Sequence, residues 1–95
     1  MRRASRTDGN QLEIVTALRH AGCQVISLAA LGGGIPDLLV RRRDGSLVLV
    51  EVKDPTTGGT LNEVQETWHA RWPEPIAIVH SVDEAFAVAG IERAS

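Results

Sequence analysis

Residues 36–53 read PDLLVRRRDGSLVLVEVK and contain two runs of strand-forming residues on either side of an Asp44-Gly45 pair. An Asp-Gly dipeptide between two apolar runs is a strong signal for a tight turn that joins antiparallel strands. We therefore predict a β-hairpin, with strands over 38–42 and 47–53. Apolar residues fall on both faces of the second strand, so we expect it to be central in the sheet and covered on both sides.

Three helices and two further strands are predicted around this hairpin. The first helix ends before Gly22, and the other two begin with capping-box patterns, Thr60-Leu-Asn-Glu63 and Ser81-Val-Asp-Glu84. The predicted elements outside the hairpin are a helix over about 10–21, a strand over 23–28, a helix over about 60–72, a strand over 76–79 and a helix over about 81–89. The order αβββαβα indicates an α+β fold, a mixed sheet with helices against it.

The chain has 95 residues, 43% of them hydrophobic, which corresponds to one domain with one core. We treat residues 1–95 as a single domain in which residues 1–7 form a flexible basic arm. The apolar runs are far shorter than the roughly 18 residues that span a membrane, so we expect no membrane partner. The single cysteine, Cys23, cannot form an intramolecular disulfide, and we expect it to be a buried small residue in a reducing environment.

Charge is distributed unevenly along the chain. Residues 1–43 contain seven arginines and three acidic residues, whereas residues 44–95 contain three basic and nine acidic residues. The formal net charge of −2 excludes an all-round polycation. A local basic cluster beside acidic residues suits a polyanion whose chemistry also needs carboxylates.

Asp37, Glu51 and Lys53 have a placement that packing does not explain. Glu51 and Lys53 are two residues apart on one strand and therefore share a face. The hairpin brings Asp37 near their level on the neighbouring strand, so two carboxylates and an ammonium group meet. This combination suits a hard cation such as Mg²⁺ together with a phosphate. The alternative is an ordinary ion pair at the end of a strand, with Asp37 as a turn residue after Pro36.

The segments Gly34-Ile-Pro-Asp-Leu-Leu-Val40 and Val50-Glu-Val-Lys53 resemble the PD-(D/E)XK motif of restriction-endonuclease-like nucleases. With Leu61-Asn-Glu-Val-Gln-Glu-Thr-Trp68 downstream, the chain is most similar to the VRR-Nuc branch of that superfamily, the small standalone nuclease domains of phages and bacteria. The resemblance covers nearly the whole chain. It implies a restriction-endonuclease-like fold and a metal-dependent hydrolase of DNA phosphodiester bonds.

The resemblance also implies roles for individual residues. Asp37, Glu51 and the carbonyl of Val52 would hold Mg²⁺ or Mn²⁺. Lys53 would position water or phosphate, and Gln65 would lie at the rim of the site.

The family also adds an acidic residue from the first helix. Glu13 fits this position because it lies just outside the apolar stripe, and we predict it as a further catalytic residue and metal ligand. Counting back from Gly22, the equivalent position could instead be Gln11, which would weaken a second metal site.

Candidate DNA contacts lie in two clusters. Arg41, Arg42 and Arg43 sit at the turn of the hairpin, opposite the proposed site, where they contact the DNA backbone or merely keep the turn soluble. Gly33 and Gly34 could offer backbone N–H groups to a phosphate, although flexibility before the catalytic strand is also a sufficient reason for them.

Four other residues have ordinary explanations. Trp68 and Trp72 are four apart on one helix, and we predict that they belong to the core rather than stack on bases. His69 and His80 have no cysteine or histidine partner at a metal-binding spacing, so we predict no zinc site.

The resemblance favours branched DNA, such as a four-way (Holliday) junction, as the substrate, a homodimer as the assembly, and the host cytoplasm as the location. The alternative is a catalytically weak nucleic-acid-binding or assembly module of a replication or repair complex. The intact set of Asp37, Glu51 and Lys53 argues for the enzyme.

Overall fold

The computed structural model describes residues 9–92, so the predicted arm over residues 1–7 lies outside the described residues. The elements are α1 Gln11–His20, β1 Gln24–Ser27, β2 Leu38–Arg41, β3 Leu47–Val52, α2 Glu63–Arg71, β4 Ile76–Val79 and α3 Val82–Ala89, with short 3₁₀ turns at Ala29–Leu31 and Pro55–Thr57. The predicted order αβββαβα is confirmed. The longest described helix has 10 residues, so no described helix is able to cross a bilayer.

The four strands form one mixed sheet in the order β1-β2-β3-β4. β1, β2 and β3 pair antiparallel, and β4 pairs parallel to β3. The predicted hairpin is therefore present, and its turn uses Gly45 at a φ of 91°, a conformation that favours glycine.

One face of the sheet forms the core with α1 and α3. Alternate strand residues meet the apolar stripe of each helix on this face, which is the pattern expected for a half-covered sheet. Cys23 is 5% exposed and belongs to this core, as predicted. The other core residues are Ile14, Val15, Leu18, Val25, Leu38, Val40, Val50, Val52, Val79, Ala85 and Ala89.

The opposite face is covered only in part, by α2. The prediction that β3 is central is confirmed, because β3 lies between β2 and β4. The prediction that β3 is covered on both faces is wrong for the beginning of the strand, where Leu47 is 61% exposed. Further along the same face, Glu51 is fully buried. α2 therefore reaches the end of β3 and leaves the beginning of the strand open.

α2 begins two residues later than its predicted capping box. Asn62, rather than Thr60, is the N-cap, and its side chain accepts a hydrogen bond from the backbone N–H of Gln65 at 2.9 Å. Gln65 Oε1 in turn accepts a hydrogen bond from the backbone N–H of Asn62 at 3.0 Å. Asparagine is at least as good an N-cap as threonine, and Gln65 completes a capping box in this shifted register.

α3 has the predicted cap but not the predicted reciprocal bond. The Ser81 hydroxyl accepts a hydrogen bond from the backbone N–H of Glu84 at 3.1 Å. The Glu84 carboxylate accepts one from the backbone N–H of His80 at 2.7 Å, one residue before the cap. The helix ends at Gly90, whose left-handed conformation was expected of a glycine there.

Candidate active site

Asp37 and Glu51 meet at the open end of the hairpin. Leu38 pairs with Val50 in the antiparallel register, so the next position outward places Asp37 opposite Glu51. The Cβ atoms of residues at such positions lie about 4.5–5.5 Å apart. Asp37 Oδ2 accepts a hydrogen bond from the backbone N–H of Val52 at 2.8 Å, which fixes the carboxylate against the end of β3.

Glu51 has no solvent exposure. Gln65 Nε2 donates to its Oε2 at 3.2 Å, and His69 Nε2 lies 3.1 Å from its Oε1. Burial of an unpaired carboxylate would cost several kcal/mol, so these contacts are needed to keep the group in the protein. Both partners come from α2, which explains why this helix packs over the end of β3.

Gln65 connects the start of α2 to the site. Its Oε1 completes the capping box with Asn62, while its Nε2 reaches Glu51. A glutamine is able to make both contacts because one amide carries an acceptor and a donor. The residue predicted to lie at the rim is therefore in direct contact with one of the two carboxylates.

His69 is a residue of the site that sequence reasoning missed. Burial lowers the pKa of its imidazole below the usual 6.5, the nearby Lys53 ammonium lowers it further, and Asp37 raises it. One signal was available in the sequence: His69 follows Gln65 by four residues, so both lie on one face of a helix.

The N-terminal end of α1 lies beside the end of β3. Asn10 Nδ2 donates to the Lys53 carbonyl at 3.4 Å and to the His80 carbonyl at 2.9 Å. Gln11 is buried, and its Oε1 has no hydrogen-bond partner among the described residues. Glu13 is exposed and lies about 200° around the helix from Gln11, so the structure does not bring Glu13 to the cluster.

The oxygen atoms at this end of the hairpin fit a hard divalent cation. Mg²⁺ is commonly held by one or two carboxylates, with water and substrate oxygens completing its shell. Asp37, Glu51 and the carbonyl of Val52 are donors of this kind, and the unpartnered buried oxygen of Gln11 lies at the adjoining end of α1. Within residues 9–92, no three His, Cys, Asp or Glu residues are grouped so as to form a cage by themselves.

The three arginines of the hairpin turn differ from one another. Arg42 is half-buried, and its Nε donates to the Val88 carbonyl at 2.9 Å while Nη1 donates to Ser46 Oγ at 3.1 Å. Arg41 and Arg43 are exposed. Arg42 thus ties the hairpin to α3, and two of the three predicted DNA contacts have free access to solvent.

The two candidate glycines also differ. Gly34 is packed so tightly against α2 that a Cβ atom would lie 2.4 Å from the Val64 carbonyl oxygen. A Cβ on Gly33 would meet no atom within 4 Å. Gly34 therefore has a packing reason for lacking a side chain, whereas Gly33 borders open space.

The two tryptophans do not belong to the core. Their rings stack on each other with centroids 4.9 Å apart, but Trp72 is 41% exposed. The prediction that both are core residues is wrong, because Trp72 is largely exposed, Trp68 is only half-buried and neither belongs to the buried core. None of the described α2 residues is fully buried.

Comparison of the sequence with protein-family models gives no match, and no curated protein matches. Among solved structures, the chain matches one described as a VRR_NUC domain, with a TM-score of 0.65 and 26% sequence identity. The match covers 84% of this chain and 89% of the other. The likeness therefore extends over the sheet and its helices rather than over a single motif.

Proposed function

The chain is a VRR-Nuc domain with a restriction-endonuclease-like fold, and on this premise we propose that it is a Mg²⁺- or Mn²⁺-dependent endonuclease that hydrolyses DNA phosphodiester bonds. One observation carries the proposal: Asp37 lies opposite the fully buried Glu51 at one end of a hairpin, and Lys53 follows Glu51 by two residues. A carboxylate buried at a cost to stability, as Glu51 is, is most readily explained by chemistry that needs it.

Each residue has a specific task in this proposal. Asp37, Glu51 and the Val52 carbonyl would hold the metal ion, which when bound offsets phosphate charge and makes a water molecule more acidic. The Lys53 ammonium would orient the attacking water or stabilise negative charge on the phosphate oxygens. Gln65 and His69 keep the Glu51 carboxylate in one orientation.

The proposed substrate is branched DNA, and the proposed assembly is a homodimer. Support comes from the resemblance of the sequence to small standalone VRR-Nuc domains. Few lysines and arginines are present to read base edges, which favours recognition of backbone shape. A twofold dimer would present two sites to the two equivalent strands of a four-way junction.

A cleavage assay tests the proposal. Purified protein is incubated with linear, flapped and four-way DNA in Mg²⁺, Mn²⁺ or EDTA. We expect cleavage with either metal and none in EDTA, and we expect Asp37→Asn, Glu51→Gln and Lys53→Met each to abolish it. Asp44→Asn, at the opposite end of the hairpin, is the matched control that should remain active. Normal turnover by any of the first three variants would remove that residue from the mechanism.

The same assay distinguishes the two residues of α1. Because Gln11 is buried with an unpartnered side-chain oxygen, whereas Glu13 is exposed, we expect Gln11→Ala to reduce cleavage and Glu13→Gln to leave it near the wild-type rate. The opposite result would return the catalytic role to Glu13.

A binding or assembly module is the second candidate. It is favoured by the fact that both oxygens of Glu51 already accept hydrogen bonds from α2, as they would in a purely structural carboxylate. DNA binding without cleavage in Mg²⁺ or Mn²⁺, on every substrate above, would support this function instead.

A further inference from the structure

A cavity of about 520 Å³ lies between the glycine-rich loop before β2 and α2. Its volume falls within the range of small-molecule binding sites. None of the steps proposed above uses it. The cavity is lined by Gly33, Val64, Thr67, Trp68, Arg71 and Trp72.

Two indole rings form an aromatic wall of this cavity. The rings of Trp68 and Trp72 stack with an interplanar angle of 19° and centroids 4.9 Å apart. Trp72 is 41% exposed and Val64 is 58% exposed, so apolar surface is left open to solvent. A stacked aromatic pair with open surface offers a flat apolar partner to another ring.

The aromatic wall is directly connected to the candidate active site. The Trp68 ring contacts His69 edge-on, with centroids 6.4 Å apart. His69 Nε2 lies 3.1 Å from Glu51 Oε1. One pair of touching rings thus separates the cavity from the carboxylate that we expect to hold the metal.

The charge at the cavity is also informative. Between residues 44 and 92 the sequence contains many acids but, of lysines and arginines, only Lys53 and Arg71. Lys53 follows Glu51 by two residues, and Arg71 lines the cavity. An arginine beside an aromatic wall favours a ligand that combines a flat ring with an anionic group, as a nucleotide does.

From these features we propose that the cavity binds one unpaired nucleobase of the DNA substrate against the Trp68–Trp72 pair, with Arg71 on a neighbouring phosphate. The inference rests on the proposed nuclease function and adds the requirement that the DNA substrate contain an unpaired base. A base within a duplex has both faces covered by its neighbours, so a base must leave the stack to enter the cavity. Flaps, frayed ends and the centre of a junction supply such bases, whereas an intact linear duplex does not.

Intrinsic fluorescence tests the inference directly because Trp68 and Trp72 are the only tryptophans of the chain, which has no tyrosine. The wild-type protein in EDTA, which prevents metal-dependent cleavage, is titrated with an oligothymidylate of about ten nucleotides. The comparison probes are an oligomer of the same length made of abasic sites and a blunt duplex. We expect oligothymidylate to quench the fluorescence and to bind about 5- to 150-fold more tightly than the abasic oligomer, the range that stacking of one base supplies.

Variants assign the effect to the cavity. Trp72→Leu should lose most of the preference for oligothymidylate over the abasic oligomer. Arg71→Gln should weaken binding of both single strands and make affinity less dependent on salt. Leu12→Ala, which removes another exposed apolar side chain on α1, is the matched control and should bind as the wild type does. Circular dichroism shows whether each variant is folded.

Three outcomes would overturn the inference. Equal affinity for the thymidylate and abasic oligomers, without quenching, would show that no base enters the cavity. Equal quenching by blunt duplex would show that no unpaired base is required. A fluorescence change on concentrating the protein alone, abolished by Trp72→Leu, would identify a second copy of the chain as the occupant. Cleavage of flapped DNA in Mg²⁺ or Mn²⁺ is measured in parallel. If no cleavage occurs but oligothymidylate still quenches the fluorescence, the proposed nuclease function is rejected and the base-binding cavity is not.

Discussion

Asp37 accepts a hydrogen bond from the backbone N–H of Val52, and through it the carboxylate supports the end of β3 as well as facing Glu51. The Asp37 side chain therefore has two opposite effects on the stability of the fold. Repulsion between the neighbouring carboxylates opposes folding when no cation is bound, whereas the bond to Val52 satisfies a part-buried donor. An unsatisfied buried donor costs about 1–3 kcal/mol, so we expect the hydrogen bond to dominate.

Asp37→Ala should accordingly lower the free energy of unfolding by about 1–3 kcal/mol in EDTA, because it leaves the Val52 N–H without an acceptor. Asp37→Asn keeps an acceptor oxygen and removes the charge, so it should be closer to the wild type. Urea unfolding followed by circular dichroism measures both. An Asp37→Ala variant that is more stable than the wild type would show that carboxylate repulsion dominates.

His80 and Glu84 form a second pair of titratable residues. His80 Nδ1 lies 2.9 Å from the Glu84 carboxylate, and Nε2 lies 2.9 Å from the Gly59 carbonyl. The bond to Gly59, followed by the contact with Glu84, raises the pKa of His80 above 6.5. The contact with His80 lowers the pKa of Glu84 below 4.5.

These shifts define a pH window for the pair. Because the pKa of His80 is raised in the folded state, protonated His80 stabilises the fold. This contribution is complete below pH 6.5 and is lost as the pH rises through the pKa of the folded state. The lowered pKa of Glu84 stabilises it above pH 4.5, an effect lost as pH falls through the folded pKa. Glu84→Gln should therefore reduce Tm most between about pH 4.5 and 6.5 and least near pH 8. Because the pair is largely exposed, the loss should be below about 1 kcal/mol.

Thermal melts across this pH range measure the effect. Glu66→Gln is the control, because Glu66 also lies in the first turn of a helix and interacts similarly with the helix dipole. The difference in Tm between Glu66→Gln and the wild type should not be largest between pH 4.5 and 6.5. A constant difference for Glu84→Gln would show that the ion pair does not contribute.

At the scale of the elements, one residue of α2 both caps the helix and contacts the candidate active site. Gln65 caps the helix through one amide atom and contacts Glu51 through the other. Packing of α2 on the sheet and orientation of the carboxylate are therefore coupled. A substitution of Gln65 is able to separate the contribution of the helix cap from that of the contact with Glu51.

Gln65→Glu retains a residue that completes a capping box but places a second carboxylate against buried Glu51. We expect it to lower the free energy of unfolding in EDTA by more than about 1 kcal/mol. Asn62→Ala removes the cap without touching Glu51 and should cost about 1 kcal/mol, with cleavage retained. Stability of Gln65→Glu equal to that of the wild type would contradict the contact between Gln65 and Glu51.

The hairpin turn provides a second test at this scale. Arg42→Ala should destabilise the fold by about 1 kcal/mol because it removes hydrogen bonds to Val88 and Ser46. Arg41→Gln with Arg43→Gln should leave stability unchanged and lower DNA affinity, with a salt dependence of log affinity shallower by up to about one per lost phosphate contact. Unchanged affinity and slope would mean that the exposed arginines serve solubility alone.

At the scale of the whole molecule, a small chain leaves large apolar side chains in contact with solvent. A domain of this size buries a modest share of its surface, which makes association with a second copy favourable. Exposed examples lie on both the helices and the sheet, including Leu12 at 76%, Ile26 at 57% and Leu47 at 61%.

Light scattering coupled to size exclusion should therefore give twice the mass of the 95-residue chain at micromolar concentration. Dilution should shift the population toward the monomer if the interface is of modest size. A monomer mass that persists with junction DNA bound would reject the dimer, and with it simultaneous cleavage of two strands.

The sequence alone determined the order of the elements and the position of the central residues of the site. Hairpins, helix ends and strand faces depend on local chemistry: the turn at Asp44-Gly45, the stop at Gly22 and the alternation along β3 all act within a few residues. The register of a hairpin follows from its turn. Local sequence is therefore sufficient to place Asp37 opposite the end of β3.

Only the tertiary structure decided which side chains of the helices reach that end of the sheet. The contact of His69 with Glu51, the burial of Gln11 rather than Glu13, and the exposure of Trp72 all depend on how α1 and α2 rotate and tilt against the strands. Helical periodicity defines a face but does not say which part of it meets a residue more than ten positions away in the chain. That choice arises from packing of the whole domain, because α1 buries its apolar stripe in the core while α2 supplies the groups that contact Glu51.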